Sequence, residues 1–457
     1  MNSIASLLRG GLRVAGVDKA VAYTVAGRVW AILVGPITIL LIARYFTPVQ
    51  QGYYYTFNSL IAIQVFFELG LSYVVMQVVS HERAKLEFTS AGLLDGDTHA
   101  KQRIASILRI SIKWYSIIAL VSLVILLVAG SIFFSNNQSS ELVSWRLPWI
   151  ALVTFTAINL VISPFLSVLE GCGLIEQVAH TRLWQIGSAN LMQWFAILRG
   201  LGLFSLVAHS ASNAAVAVTW LSTSKRKFFN NLFSVYTSEV KVNWWKEIWP
   251  FQWRIALSWI GGYLIYQVFN PILFALSGPI VAGQMGLSLS IVWGLSILAI
   301  SWVSTKAPLF GMLVAKYQYE ELDRIFLRSL IQSITAMILI GIALFTFIIF
   351  LNRFNSQWAS RALAPFPFGL LIISALGNQV IWSEAYYLRA HKKDPLMWIS
   401  VSVGLLNVVF AYLLAPNYGA LGVALSYSLL TWLVYLPVST VIFLNKRQKW
   451  HHLEMEG

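Results

Sequence analysis

Two arginines and a glutamate stand where charge is expensive. Arg28 lies in the apolar stretch 21–43, Glu68 in the stretch 54–80, and Arg254 near the start of a third, 250–276. Each stretch can cross a hydrocarbon core of ~30 Å, which takes ~20 residues of helix. An ionised side chain at that depth costs on the order of 3 kcal/mol or more. A charge kept there points to a water-filled cavity, a partner or a substrate. Arginine suits an anion, because its guanidinium stays charged when desolvated and presents a planar fork of donors to phosphate or carboxylate. A simpler reading makes Arg28 and Glu68 an ion pair that pins two helices. Either arginine also lies within about two turns of its span's end and can snorkel to the headgroups. Glu170, Lys306, Glu384 and Arg389 sit close to span ends, where interfacial solvation accounts for them. Of these, Lys306 is the further candidate cation for an anionic ligand. Glu384 is the candidate to pair with an inward-facing base or to carry a coupled proton.

Helices must position these groups. Of 457 residues, 58% are hydrophobic and 11% charged, against about 25% charged in ordinary soluble domains. The chain therefore reads as an all-α integral membrane protein. Twelve spans are expected, near 21–43, 54–80, 110–134, 149–171, 178–198, 201–222, 250–276, 280–305, 328–351, 364–388, 395–415 and 419–444. Arg182 and Arg199-Gly200 make the fifth and sixth the weakest. Gly261-Gly262 and Pro271 interrupt the seventh. An even number of spans puts both termini on one side. That side collects 24 of the lysines and arginines against 5 on the other, which makes it cytoplasmic. The net charge of +14 thus belongs to membrane topology, and no nucleic-acid partner is implied. The first apolar stretch is too long for a cleavable signal and lacks a small-residue cleavage motif, so it is expected to remain as a helix.

Three inward loops carry expectations of their own. Residues 81–109 read as surface helix with a Gly-containing turn. Residues 223–249 join Lys225-Arg226-Lys227 to Trp244, Trp245 and Trp249, a pattern for an interfacial helix against anionic headgroups. Residues 306–327 read as a short amphipathic helix. Cys172 is the single cysteine, so no internal disulfide or cysteine metal cluster forms. The histidines show no metal-ligand spacing, and His451 and His452 are expected to be solvated.

Features recur between the halves. Arg28 matches Arg254, Gly35 matches Gly261, Pro48–Gly52 matches Pro279–Gly283, and Gly187–Asn190 matches Gly404–Asn407. Six spans plus six, each half starting on the same side, imply two six-helix lobes around a central cavity. Their domains would be 1–222 and 250–445, joined by a basic linker, 223–249, and followed by a cytoplasmic tail, 446–457. Repeated halves place a substrate between the lobes and move it by alternating access.

The opening pair of spans carries Ala43-Arg44-Tyr45, Pro48, Gly52-Tyr53 and Glu68-Leu69-Gly70-Leu71; Leu169-Glu170-Gly171 and Pro416-Asn417-Tyr418-Gly419-Ala420-Leu421-Gly422 follow later. In these motifs the chain resembles the Wzx-type polysaccharide flippases of the multidrug/oligosaccharidyl-lipid/polysaccharide exporter superfamily. It departs from them in carrying Glu68 where that family usually has aspartate, and in its middle spans. The resemblance implies a flippase that moves a polyprenyl-pyrophosphate-linked oligosaccharide from the cytoplasmic to the outer leaflet for cell-surface polysaccharide synthesis, O-antigen or lipopolysaccharide among them. The setting would be the bacterial inner membrane, with polysaccharide assembly proteins as further partners. In that scheme Arg28, Arg254 and Lys306 hold the anionic substrate. Glu68 and Glu384 orient the cations or couple transport to a proton or sodium ion, and no cofactor is needed.

Two other classes compete. A multidrug or small-molecule exporter of the same superfamily would favour intramembrane carboxylates over arginines. A membrane glycosyltransferase, polymerase or ligase would need a folded outer loop or a carboxylate pair at the surface. The outer loops are short and carry no such pair, so the chain reads as a non-enzyme.

Overall fold

The structure, a computed structural model, describes residues 19–453 apart from 69, 91, 138–142, 236–243, 245–248, 355–357 and 392. Some side chains within 19–32, 250–258 and 452–453 also lie outside the described set, those of Arg28, Arg254 and His452 among them.

The chain is nearly all helix. In order, α1 is Lys19–Tyr45, α2 Pro48–Ile61 and α3 Leu71–Arg83. After a two-stranded ribbon come α4 (Thr98–Asn136), α5 (Arg146–Gly171), α6 (Ile175–Leu198), α7 (Phe204–Ser224) and α8 (Arg226–Ser234). The rest are α9 (Trp249–Tyr266), α10 (Phe269–Ser277), α11 (Pro279–Ser304), α12 (Ala307–Ala315), α13 (Tyr319–Arg353), α14 (Pro365–Ala390), α15 (Met397–Leu430) and α16 (Leu436–Leu453). Seven helical runs among the described residues are long and apolar enough to cross a membrane, eight if the bent pair Pro48–Glu68 and Leu71–Arg83 is one span. That is fewer than the twelve expected. Helices α6 and α7 form but carry too many polar groups, Gln185, Asn190 and Gln193 in one and His209, Ser210 and Asn213 in the other. The last two expected spans fall in one run, kinked at Gly419, whose φ of 54° only glycine adopts freely.

The contacts divide the chain into two units. The first is Met1–Thr38, Phe66–Ile132 and Ser144–Ala256; the second is Ile39–Val65, Phe133–Val143 and Leu257–Gly457. In the first unit, α3, α4 and α5 bury Val75, Val79, Ile104, Leu108 and Leu169 around Cys172. Close approach needs glycine twice. A Cβ on Gly130 would meet the Trp149 ring at 2.4 Å, and one on Gly171 would meet the Met76 carbonyl at 2.7 Å. Trp149 completes its contact by donating Nε1–H to the Leu126 carbonyl, 3.1 Å away.

In the second unit the two Pro-x-x-x-Gly motifs meet each other. The proline of each stands in a helical first turn, at the starts of α2 and α11, with Thr47 and Gln50 forming a capping box ahead of α2. The glycines therefore serve packing. A Cβ on Gly52 would lie 2.0 Å from the Pro279 carbonyl oxygen, and one on Gly283 would lie 2.8 Å from the Gly52 nitrogen. Gln51, 1% exposed, donates its amide to the Gly283 and Arg361 carbonyls at 2.9 Å each. Farther along α2, Ser59 accepts from Asn270 at 3.0 Å and from the Tyr263 hydroxyl, on its carbonyl, at 3.2 Å.

Two loops and one span differ from expectation. Residues 86–96 form an antiparallel ribbon, Leu86–Phe88 with Leu94–Gly96. Thr89 closes its turn by exchanging bonds with Leu93, and Gly92 takes φ +72°. Helix α8 turns Phe228, Phe229 and Leu232 into the protein core, while residues 236–243 and 245–248 of the expected interfacial segment lie outside the described residues. The seventh expected span runs unbroken through Gly261-Gly262 and breaks instead at Gln267-Val268, with Pro271 in the first turn of α10.

Candidate functional site

Glu68 owes its position to a broken helix. Residues 62–64 tighten into a 3-10 turn, and Gly70 at φ 67° starts α3 in a new direction. Hydroxyls gather on the carboxylate. Ser72 donates to Oε1 at 2.7 Å and Tyr115 at 3.1 Å. Ser72 Oγ also lies 2.6 Å from the Tyr115 hydroxyl and 2.8 Å from Ser163 Oγ. Three helices, α3, α4 and α5, thus converge on one half-buried acid. Charge-assisted bonds of this kind are about twice as strong as neutral ones. The expected partner Arg28 lies on α1, and its side chain falls outside the described residues; so does that of Arg254 on α9.

Glu384, on α14, is 3% exposed. Thr440 of α16 donates to its Oε1 at 2.8 Å, and Oε2 is buried as well. Lys306 is exposed and stands at the cap of α12. Lys306 and Glu384 belong to the second unit, whereas Glu68 belongs to the first. Glu170 pairs with Arg182 at 3.0 Å, and Arg389 with Asp394 at 3.0 Å. No group of three or more metal-binding side chains occurs among the described residues. Cys172 is fully buried, which pushes its thiol up to about 12 and leaves it unreactive at neutral pH.

Two polar networks escape a reading of the sequence. Asp323 on α13 accepts from Arg447 Nε at 3.0 Å on each oxygen, from Arg447 Nη2, and from the Tyr387 hydroxyl at 2.7 Å. His451 Nε2 lies 2.8 Å from the Tyr387 hydroxyl, and its ring stacks on Tyr319 at 4.2 Å. The expectation of a solvated His451 is thereby corrected: α16 carries it back onto α13 and α14. The second network is aromatic. Trp382 donates to the Tyr266 hydroxyl at 2.9 Å, Tyr266 donates to Asn378 Oδ1 at 3.1 Å, and the Asn378 amide donates to the Tyr427 hydroxyl at 2.9 Å. Asn378 and Trp382 sit one helical turn apart on α14. That spacing is the only sequence signal, and it is common to any helix face.

No family model matches the chain, and no curated protein does. Solved structures do. The fold is similar to the inward-facing conformation of a multidrug resistance MATE family transporter of the MOP superfamily, with TM-score 0.55 and 14% identity over 90% of this chain and 99% of that one. It is similar to lipid II flippase MurJ in an inward closed conformation, with TM-score 0.54 and 13% identity over 91% and 87%. It is also similar to the MATE multidrug transporter DinF-BH, with TM-score 0.56 and 12% identity over 93% and 94%. The chain is a multi-pass membrane protein with the fold shared by these MOP-superfamily transporters and flippases.

Proposed function

We propose that this protein is a flippase that carries a polyprenyl-pyrophosphate-linked oligosaccharide from the cytoplasmic to the outer leaflet by alternating access. The observation that carries the reading is the fold likeness to a lipid II flippase over nine-tenths of the chain, joined to the sequence resemblance to Wzx-type flippases. The proposal includes twelve spans in two six-helix lobes, an inner-membrane location with both termini cytoplasmic, and work alongside polysaccharide assembly proteins.

The chemistry of the residues supports it. A pyrophosphate head and its sugars cannot cross hydrocarbon unaided, whereas the polyprenyl tail remains in the bilayer. Arg28, Arg254 and Lys306 supply positive charge for the head. Glu68 keeps a half-buried carboxylate within a cup of hydroxyls, and Glu384 keeps a buried one beside the Thr440 and Ser439 hydroxyls. Either carboxylate can take a proton or face a sodium ion as the protein changes state. Charge reversal at Arg28 or Arg254 should abolish export while the protein still inserts. Normal export by both variants would remove these arginines from the mechanism.

The second reading is a small-molecule exporter. It is favoured by the equal likeness to multidrug transporters, with TM-scores of 0.55 and 0.56. Overexpression would then raise resistance to cationic drugs, which the flippase reading does not expect.

A further inference from the structure

The second unit contains a cleft of about 310 Å³, at the small end of ligand sites, which run from about 300 to 1,000 Å³. Its walls come from α9, α11, α14, α15 and the α15–α16 junction. Tyr266, Trp382, Tyr386 and Tyr435 supply aromatic surface, Ser400 a hydroxyl, and Arg389 a cation at one edge. The deep end is preorganised. Trp382 and Asn378 hold Tyr266 from both sides, and Trp293 packs edge-on against the Tyr266 ring at 4.8 Å. Ser400 Oγ lies 2.9 Å from the Tyr435 hydroxyl, so one wall presents paired hydroxyls. Gly262 faces open space, with nothing among the described residues within 4 Å of where its Cβ would stand.

We infer that this cleft binds a sugar ring carrying one carboxylate, as in a hexuronic acid. Flat aromatic faces are electron-rich and suit the C–H face of a pyranose. The hydroxyls exchange bonds with the ring substituents, and the Arg389 fork takes the carboxylate. Arg389 now pairs with Asp394 through Nε at 3.2 Å and Nη2 at 3.0 Å, with side chains 54% and 32% exposed. An ion pair that open is worth about 0–1 kcal/mol, so a ligand carboxylate displaces Asp394 at little cost. Arg389, the one arginine among the described cleft residues and shared with an aspartate, matches a monoanion and is too weak a counter-charge for pyrophosphate. A cationic guest would gain from the aromatic rings but would meet Arg389 at the entrance.

The assignment rests on the flippase reading for its source of saccharide: the cleft would take an acidic sugar of the lipid-linked chain and select for it. Direct titration separates the two ideas. The full chain in lipid nanodiscs is titrated calorimetrically with glucuronate, glucose and the cationic dye rhodamine. Saturable glucuronate binding is expected, stronger than that of glucose. Both Arg389→Gln, which removes the charge, and Gly262→Leu, which fills the cleft, should weaken it tenfold or more, about 1.4 kcal/mol. No saturable glucuronate binding by the unaltered protein would overturn the assignment. So would equal binding by both variants, or rhodamine binding in preference to glucuronate. A deletion strain with an unchanged lipid-linked saccharide pool would remove the flippase reading, while the titration would still decide the cleft.

Discussion

Two Gly-x-x-Asn motifs stand at matching places in the two halves of the sequence, and their surroundings differ. In α6, Gly187 has nothing among the described residues within 4 Å of its would-be Cβ, and Asn190 donates to its own helix, to the Ile186 carbonyl at 2.7 Å. In α15, a Cβ on Gly404 would meet Leu264 at 2.7 Å, and Asn407 donates across to the Ile265 carbonyl of α9 at 3.1 Å. The same residues are therefore local in the first unit and bind helix to helix in the second. The units also concentrate polarity differently. The first gathers hydroxyls around Glu68; the second spreads an aromatic and amide network from Trp382 to Tyr427. Matching residue types in the two halves thus make different contacts.

The largest break in this comparison comes from the tight contacts. Gly52→Val forces a branched side chain onto the Pro279 carbonyl, and overpacking of this kind costs about 1–3 kcal/mol or more. Thermal unfolding in detergent should show a clear loss of stability, and export should fail. The paired glycines give a sharper contrast. Gly404→Ala should destabilise through the Leu264 contact, whereas Gly187→Ala should be neutral or gain up to about 1 kcal/mol from helix propensity. Equal effects from both would dissolve the distinction between the units.

Next in size is the Glu68 cup. Glu68→Gln keeps the shape but removes the charge that Ser72 and Tyr115 satisfy. Its effect on transport should exceed its effect on folding. Tyr115→Phe should cost about 1 kcal/mol of stability, the scale of one hydrogen bond. Smaller again, Asn407→Ala should lose about 0.6 kcal/mol, typical of a side-chain bond between membrane helices, and Asn190→Ala less.

The smallest effect is on pH dependence. Burial holds His391, just beyond α14, below its ordinary value of 6.5, against the opposing pull of its bond to the Tyr387 carbonyl. A histidine depressed on folding binds its proton more readily in the unfolded chain. Its contribution to stability is thus present above the ordinary value and declines as pH falls below it. Unfolding temperatures measured from neutral to mildly acid pH should show that decline, reduced in His391→Gln.

Much of the fold is legible in the sequence because apolar runs of membrane length have few alternatives to helix. The break between the last two spans is visible in Pro416-Asn417-Tyr418-Gly419, and the structure places φ 54° at that glycine. Pro48–Gly52 and Pro279–Gly283 are visible as a pair, but their meeting is not, since nothing in a motif says which surface it faces. The ribbon at 86–96 is hidden by mixed charge that suits a helix equally well. Glu68 stands out as a charge in an apolar run, whereas its hydroxyl partners Ser72 and Tyr115, and Ser163 behind Ser72, come from three helices and share no spacing. The aromatic cleft is invisible for the same reason. Tyrosine and tryptophan are common along membrane helices, and only their convergence distinguishes these.

The most direct test of the central claim is mass spectrometry of lipid-linked saccharides in cells with and without this protein, with spheroplasts probed in parallel by an impermeant glycosidase. A flippase predicts that complete repeat units accumulate in the deletion strain, beyond the enzyme's reach, and become accessible when the protein is restored. An unchanged pool that the enzyme reaches equally in both strains would contradict the account.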